Sequence, residues 1–352
     1  MSKHSAKYKI VIAVTALNAI DSPGPGVAVI RAIRECEDFE VRIIGLAYES
    51  LEPGIYMHDM VDKTYHIPYP SAGTDALFAR ISHINTIEHI DVLIPNFDAE
   101  LYNFIRISDE LGNLGIHTFL PSREEFEARD KINLFRFGKK HDLLMPADNV
   151  IFQIPEISKA VEEFGFPLVV KGKFYDAVIC NTIEQAEKAF YKFQAKWGLP
   201  VIIQEFISGT EVNIAALGDG KGNAVSIIPM RKLYITDKGK AWAGITINDQ
   251  LLIDQAKQFI RATKWRGGCE LEIMLTSDRK PYIMEVNPRF PAWIYLTAAA
   301  GQNQPALLVK LALGQKVAAL KKFEVGKVFI RYSWDLIIDI SEFHKISGSG
   351  EL

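Results

Sequence analysis

Cysteine is scarce in this 352-residue chain: Cys36, Cys180 and Cys269 are odd in number, scattered and without metal-ligand spacing. That excludes a disulfide-stapled scaffold and a zinc site, and it points to a reducing compartment, the cytoplasm. Cys180 and Cys269 sit in apolar stretches and read as buried hydrophobes. No run of 18 apolar residues occurs, so no membrane span is expected. Met1 to Lys9 is polar and basic, and no signal-peptide core of the usual form follows it. Charge of one sign is lacking too, since a net −3 and a pI near 6.3 provide no nucleic-acid surface. There is no internal repeat, and the loop after the first apolar run lacks the glycine fingerprint of dinucleotide binding.

What is present is a hydrophobic content of 48%, enough over this length for two or three domains. Strand and helix patterns alternate, the mark of an α/β protein. Tyr8 to Thr15 reads as a buried parallel strand, Asn18 to Gly26 as a loop and Val27 to Arg34 as a helix, with further strands at Val41 to Leu46 and Val92 to Pro95. Loops at the carboxyl ends of such strands are where open sheets bind ligands. Asp98, just after the last of these strands, is expected to cap the helix that follows. Pro121 to Glu127 opens a new helix, and Trp197-Gly198 closes a segment suited to a small lid.

The chemistry concentrates near the C-terminal end. Cys269 to Leu275 and Pro281 to Arg289 read as two strands around the polar turn Thr276 to Lys280. Glu272 and Glu285 are 285 − 272 = 13 residues apart, so a hairpin can bring their carboxylates together. Asn287 shares the face of Glu285, because side chains repeat every second residue along a strand. Two carboxylates and an amide are hard oxygen ligands of the kind Mg²⁺ takes, and Arg289 is a fork suited to phosphoryl oxygens. The bland alternative is a pair of solvated surface carboxylates, but Glu285 lies inside an apolar run where an unpaired charge is costly to bury. Glu270, on the same strand face as Glu272, is the competing ligand.

Three upstream stretches extend this pattern: Arg129-Asp130-Lys131-Ile132-Asn133, the strand Pro167-Leu168-Val169-Val170-Lys171, and Val201-Ile202-Ile203-Gln204-Glu205-Phe206-Ile207-Ser208-Gly209-Thr210-Glu211. In this order and spacing the four segments resemble the ATP-grasp superfamily, over roughly residues 8 to 318. The resemblance implies an α/β fold in which an N-terminal open parallel sheet, a pre-ATP-grasp domain, spans residues 1–120. A small lid subdomain (121–198), a central subdomain with the metal site (199–322) and a C-terminal tail (323–352) follow. Ser347-Gly348-Ser349-Gly350 in that tail reads as a flexible terminus.

By this resemblance ATP is held with Mg²⁺ or Mn²⁺. Lys131 and Lys171 meet the phosphates; in isolation each is an ordinary solvated lysine. Gln204, Glu205, Phe206 and Ile207 form the adenine hinge, Gln204 standing where many relatives carry glutamate and still able to accept the adenine amino proton. Glu211 matches the ribose carboxylate. Glu272, Glu285 and Asn287 hold the metal, Arg289 stabilises an acyl phosphate, and Arg231 touches the terminal phosphate. The phosphate loop departs from the family pattern: it offers only Gly172 before Lys173-Phe174-Tyr175.

The implied reaction is ligation of a small-molecule or peptide carboxylate to an amine, with ADP and phosphate released. The first-domain architecture resembles the carbamoyl phosphate synthase-like branch, without a glutaminase partner, a biotin carrier or a second synthase half. A stand-alone ligase is therefore expected, with neither nucleic acid nor membrane as partner and a homodimer left open. A kinase on the same fold and a non-catalytic ATP-binding regulator are the other classes.

Overall fold

The computed structural model describes residues 8–19, 23–173, 176–237 and 239–352, and these divide into two compact units. The first comprises residues up to Arg123, Asn213–Glu270 and Asn287–Leu352; the second comprises Glu124–Val212 and Leu271–Val286. Phe174 and Tyr175 of the phosphate loop, and Lys238, fall outside the described residues.

The first unit begins with four parallel strands, β1 (Tyr8–Val14), β2 (Phe39–Ala47), β3 (Lys63–His66) and β4 (Val92–Ile94), ordered β3-β2-β1-β4. Both faces are covered, which is why β1 is a near-continuous apolar run. The helix Pro25–Arg34 starts with a proline at its first position and buries Val29, Ile30 and Ile33. Its Gly26 is required, because a Cβ there would lie 2.1 Å from the carbonyl oxygen of Thr15.

In the second unit, β5 (Asp148–Ile151), β6 (Leu168–Lys171), β7 (Ala177–Cys180) and β8 (Val201–Glu205) form an antiparallel sheet ordered β5-β8-β6-β7. Ile151, Leu168, Val170, Val201 and Ile203 pack against the helices Pro155–Phe164 and Ile183–Trp197. Period-two alternation turns the intervening residues to the opposite face. β5 is short and begins with two polar residues, so no apolar run marks it in the sequence.

The last six strands are β9 (Thr210–Asp219), β10 (Ala224–Ile235), β11 (Ala241–Thr246), β12 (Arg266–Leu275), β13 (Pro281–Asn287) and β14 (Val328–Ile330). Within the first unit they run in the order β12-β9-β10-β11-β14, and the helix Gln250–Thr263 packs against β10. Their inner face joins the parallel sheet in one core that includes Ile12, Val14, Met230, Trp293, Val309 and Ile346. In the second unit, Leu271–Leu275 and Pro281–Val286 flank a turn in which the Thr276 amide donates to the Lys280 carbonyl at 3.1 Å.

The tail is not the flexible terminus expected from its Ser-Gly composition. Residues Ile340–Ser349 form a helix, capped by Asp339 accepting from the Ser341 amide at 2.8 Å and ended by Gly350 at φ 71°. Beyond it Leu352 and Thr64 exchange backbone hydrogen bonds at 2.8 and 2.9 Å, and the His66 amide donates to the Gly350 carbonyl at 2.8 Å. The open edge of β3 is thereby paired. Capping and edge pairing outweigh the local preference of two serines and two glycines.

Candidate functional site

The second unit carries a polar cluster on the face of its sheet turned away from the helices. Lys171 lies opposite Ile202, and Val169 and Asp148 each lie opposite Gln204, so Asp148, Gln204 and Lys171 share one face. The Oε1 of Gln204 is buried and has no hydrogen-bond partner among the described residues. The same holds for Oδ2 of Asp148. Buried acceptors are ordinarily paired, so two orphans side by side form a place prepared for donors from outside the chain.

Burial and then the neighbouring Lys131 push the Lys171 amine down to about 8, against the opposing pull of Glu285, Glu272 and Asp148. Lys131 stands 3.5 Å from the Glu285 carboxylate. Two lysines and two glutamates thus meet, drawn from the Arg129–Asn133 segment, from β6 and from the β12–β13 hairpin. Burial raises Asp148 to about 6, with Lys171 and Arg136 offsetting part of the effect. Asp148 was missed by sequence reasoning, since it belongs to no motif; only its register opposite the hinge strand identifies it.

The hinge itself follows β8. The Glu205 amide is committed to the Ala147 carbonyl at 2.9 Å. Phe206 is exposed and Ile207 half-buried, and Glu211 is exposed on β9. Gly209 has a steric reason, because a Cβ there would come within 2.4 Å of the Leu275 carbonyl oxygen at the hairpin.

In the first unit the organising residue is Glu270, buried on β12. Its Oε1 accepts from Asn213 Nδ2 at 2.7 Å and from Trp293 Nε1 at 2.8 Å. Its Oε2 accepts from Asn287 Nδ2 at 3.2 Å and lies 3.6 Å from Arg289 Nη1. Glu270, expected as a rival metal ligand, is instead the anchor that orients Asn287 and Arg289. Arg289 also donates through Nε to Asp98 at 2.9 Å.

Asp98 is therefore an arginine partner rather than the expected helix cap. The capping falls to Glu100, which accepts from the Asn96 and Phe97 amides at 2.9 and 3.0 Å. Arg231 is exposed on β10 opposite Ile245.

Among the described residues no group of three or more His, Cys, Asp or Glu side chains is arranged to hold a metal. The expected ligand set has only two carboxylates, completed by an amide. Those two fit a hard cation by chemistry, since Glu285 already faces the ammonium of Lys131 and Glu272 acts electrostatically on Lys171. For a nucleotide base, the fit rests on the orphaned acceptor of Gln204.

Comparison with known proteins agrees with this fold. Residues 199–330 match the family described as ATP-grasp in the biosynthetic pathway with Ter operon. The chain is 23% identical over 327 residues to the N-terminal section of the carbamoyl phosphate synthase large chain of Methanopyrus kandleri, covering 86% of this chain and 55% of that one. It is 26% identical over 178 residues to the D-alanine–D-alanine ligase of Paracidovorax citrulli, covering 46% and 53%. The chain thus spans about half the length of these curated relatives.

Among solved structures it is similar to the biotin carboxylase domain of Hydrogenobacter thermophilus 2-oxoglutarate carboxylase in complex with MgADP, at TM-score 0.69 and 16% identity, over 92% of this chain and 74% of that one. An ADP complex of N5-carboxyaminoimidazole ribonucleotide synthetase gives TM-score 0.68 and 16% identity, over 92% and 80%. The fold is ATP-grasp, with an N-terminal parallel sheet. Residues 199–330 of this ATP-grasp fold are thus similar to the Ter-operon family. No helix among the described residues is long and apolar enough to cross a membrane.

Proposed function

We propose that this protein is an ATP-dependent, ADP-forming carboxylate–amine ligase acting on an amino acid or peptide. The observation that carries the reading is the shared face of Lys171 and Gln204, which sets a cation and an orphaned buried acceptor on one side of the sheet, a pair suited to the phosphates and the base of an adenine nucleotide. Gln204 accepts the adenine amino proton, Glu205, Phe206 and Ile207 border the base, and Glu211 takes the ribose hydroxyls. Lys171 and Lys131 meet the phosphates as point charges. Mg²⁺, when held by Glu272, Glu285 and Asn287, supplies neutralisation of phosphate charge.

The substrate carboxylate oxygen attacks the γ-phosphorus, the bond to the β–γ bridging oxygen breaks, and ADP leaves. The amine then attacks the acyl carbon, the carbon–oxygen bond to phosphate breaks, and the nitrogen's proton departs with phosphate. Arg289, fixed by Asp98 and Glu270, is oriented to stabilise the acyl phosphate. Arg231 is assigned to the terminal phosphate. No protein nucleophile is required, because positioning and electrostatics carry most of phosphoryl transfer. The relatives named as ligases and synthetases support this class of reaction.

The test is phosphate release over a panel of amino acids and short peptides, with mass spectrometry of products. ADP, phosphate and a condensed product in equal amounts are expected. AMP with pyrophosphate would overturn the acyl-phosphate route, and a phosphorylated product without condensation would identify a kinase.

A further inference from the structure

Gln204 is one of two unmatched acceptors at the hinge, and the other, Asp148, belongs to no motif. The strands β5 and β8 run antiparallel with Asp148 directly opposite Gln204. The neighbouring pair carries a ladder hydrogen bond, from the Glu205 amide to the Ala147 carbonyl at 2.9 Å. Bonded and non-bonded pairs alternate along an antiparallel ladder, so Asp148 and Gln204 form a non-bonded pair, the kind whose side chains come closest, with Cβ atoms about 4.5–5.5 Å apart. Gln204 is only 3% exposed. The unmatched atoms, Gln204 Oε1 and Asp148 Oδ2, are both shut off from solvent and find no donor among the described residues.

The rest of the row offers none. Beyond Gln204 it continues into Val169 and then Ile179, both apolar. Lys171 lies two residues further along β6, on the diagonal, and neither atom is bonded to it. Burial raises the Asp148 carboxyl to about 6, with Lys171 and Arg136 pulling the other way, so at neutral pH the carboxylate prevails and both its oxygens accept. Two acceptors this close, one of them charged, call for a ligand group that carries two N–H donors on one atom. The exocyclic amino group of a 6-aminopurine is such a group. A 6-oxopurine would instead set a carbonyl oxygen, a third acceptor, against the other two. A site built to bond an N–H rejects the analogue that lacks it far more strongly than an apolar pocket rejects a change of size.

We propose that Asp148 is a specificity-determining residue for the nucleotide: with Gln204 it takes the two amino protons of a 6-aminopurine, one each, and it excludes 6-oxopurines by opposing a carboxylate to their carbonyl oxygen. The inference rests on the nucleotide part of the proposed function and reaches beyond it, since there Gln204 alone reads the base.

ATP and ITP are the probes, because their bases differ only in the 6-amino group, replaced in ITP by a 6-oxo group with a proton on the adjacent ring nitrogen. Titration calorimetry with Mg²⁺, without acid or amine, should show the natural protein preferring ATP by about a hundredfold or more. Asp148→Val should weaken ATP by about tenfold and leave ITP no weaker, so that the preference shrinks. Asp148→Asn keeps the shape and one acceptor oxygen and adds an NH₂ donor, so it should hold ATP within about threefold while tightening ITP. This isosteric variant yields the measurement even where valine disturbs the fold.

A residue that only supported its strand would weaken both nucleotides together and leave their ratio unchanged. An unchanged ratio in both variants, or equal affinity of the natural protein for ATP and ITP, would overturn the proposal. If neither nucleotide binds, the adenine site falls and this inference with it. ATP bound with the expected preference but yielding no condensed product would remove the ligase reading and leave Asp148 in its role.

Discussion

Lys171→Met separates a lysine kept for a ligand from one kept for the fold. Lys171 ends β6 in a packed, partly shielded position, with a second lysine acting on it, and its amine is pushed from an ordinary 10.5 down to about 8. At about 1.4 kcal/mol per pH unit, that displacement corresponds to roughly 3 kcal/mol of folding stability given up at neutral pH. Methionine has similar length and no charge. The variant is therefore expected to be more stable than the natural protein at pH 7, by about 1–3 kcal/mol.

The sign of the pH dependence follows from the depressed value. Below pH 8 the amine is charged in both folded and unfolded chains, and the cost is fully present. As pH rises from about 8 toward 10.5, the folded chain releases its proton while the unfolded chain keeps it, so the natural protein gains stability. The variant lacks this gain. Urea unfolding at pH 7 and about pH 9.5, with and without ATP, measures both effects. ATP should raise the midpoint of the natural protein and leave the variant nearly unmoved. A variant less stable than its parent at pH 7, or one stabilised equally by ATP, would refute the reasoning.

Glu285→Gln should lower phosphate release at saturating Mg²⁺ by about a hundredfold or more with the fold intact, since a ligand lost from an electrostatic site removes several kcal/mol of transition-state stabilisation; near-normal turnover counts against the metal assignment. Gln204→Leu removes an acceptor that is already unpartnered, so stability should change by less than about 1 kcal/mol while ATP affinity in titration calorimetry drops about tenfold; unchanged affinity would remove Gln204 from the adenine site. Glu270→Ala leaves the buried donors of Asn213 and Trp293 unmatched and should destabilise the fold by about 2–4 kcal/mol in urea unfolding. A loss under about 1 kcal/mol would mean that Glu270 is not the anchor.

Strands β1, β2 and β4 of the parallel sheet and the two strands of the hairpin were legible because their apolar runs are punctuated by turn residues, whereas the short, polar-ended β3 was not. The nearness of Lys171, Lys131, Glu272 and Glu285 was legible through motif order. The role of Glu270 was not, because strand parity places it beside Glu272 and says nothing of Asn213 or Trp293, which arrive from distant segments. Asp98 misled for a similar reason: its position at a helix start suggested a local cap, whereas a charge 191 residues away claims it. Asp148 had no signal at all until β5 was seen in register with β8. The tail misled through composition, since Asp339, ten residues ahead of Ser349, sets a helix that Ser and Gly alone would not.

The pairing of Thr64 with Leu352 also fixes an order of events in time. The edge of β3 finds its partner 352 − 64 = 288 residues later in synthesis. At translation rates of about 5–20 residues per second, that is a wait of roughly 15 to 60 seconds. Throughout it the nascent parallel sheet presents an unmatched strand, so the growing chain depends on whatever shields that edge at the ribosome before its own C-terminal residues arrive.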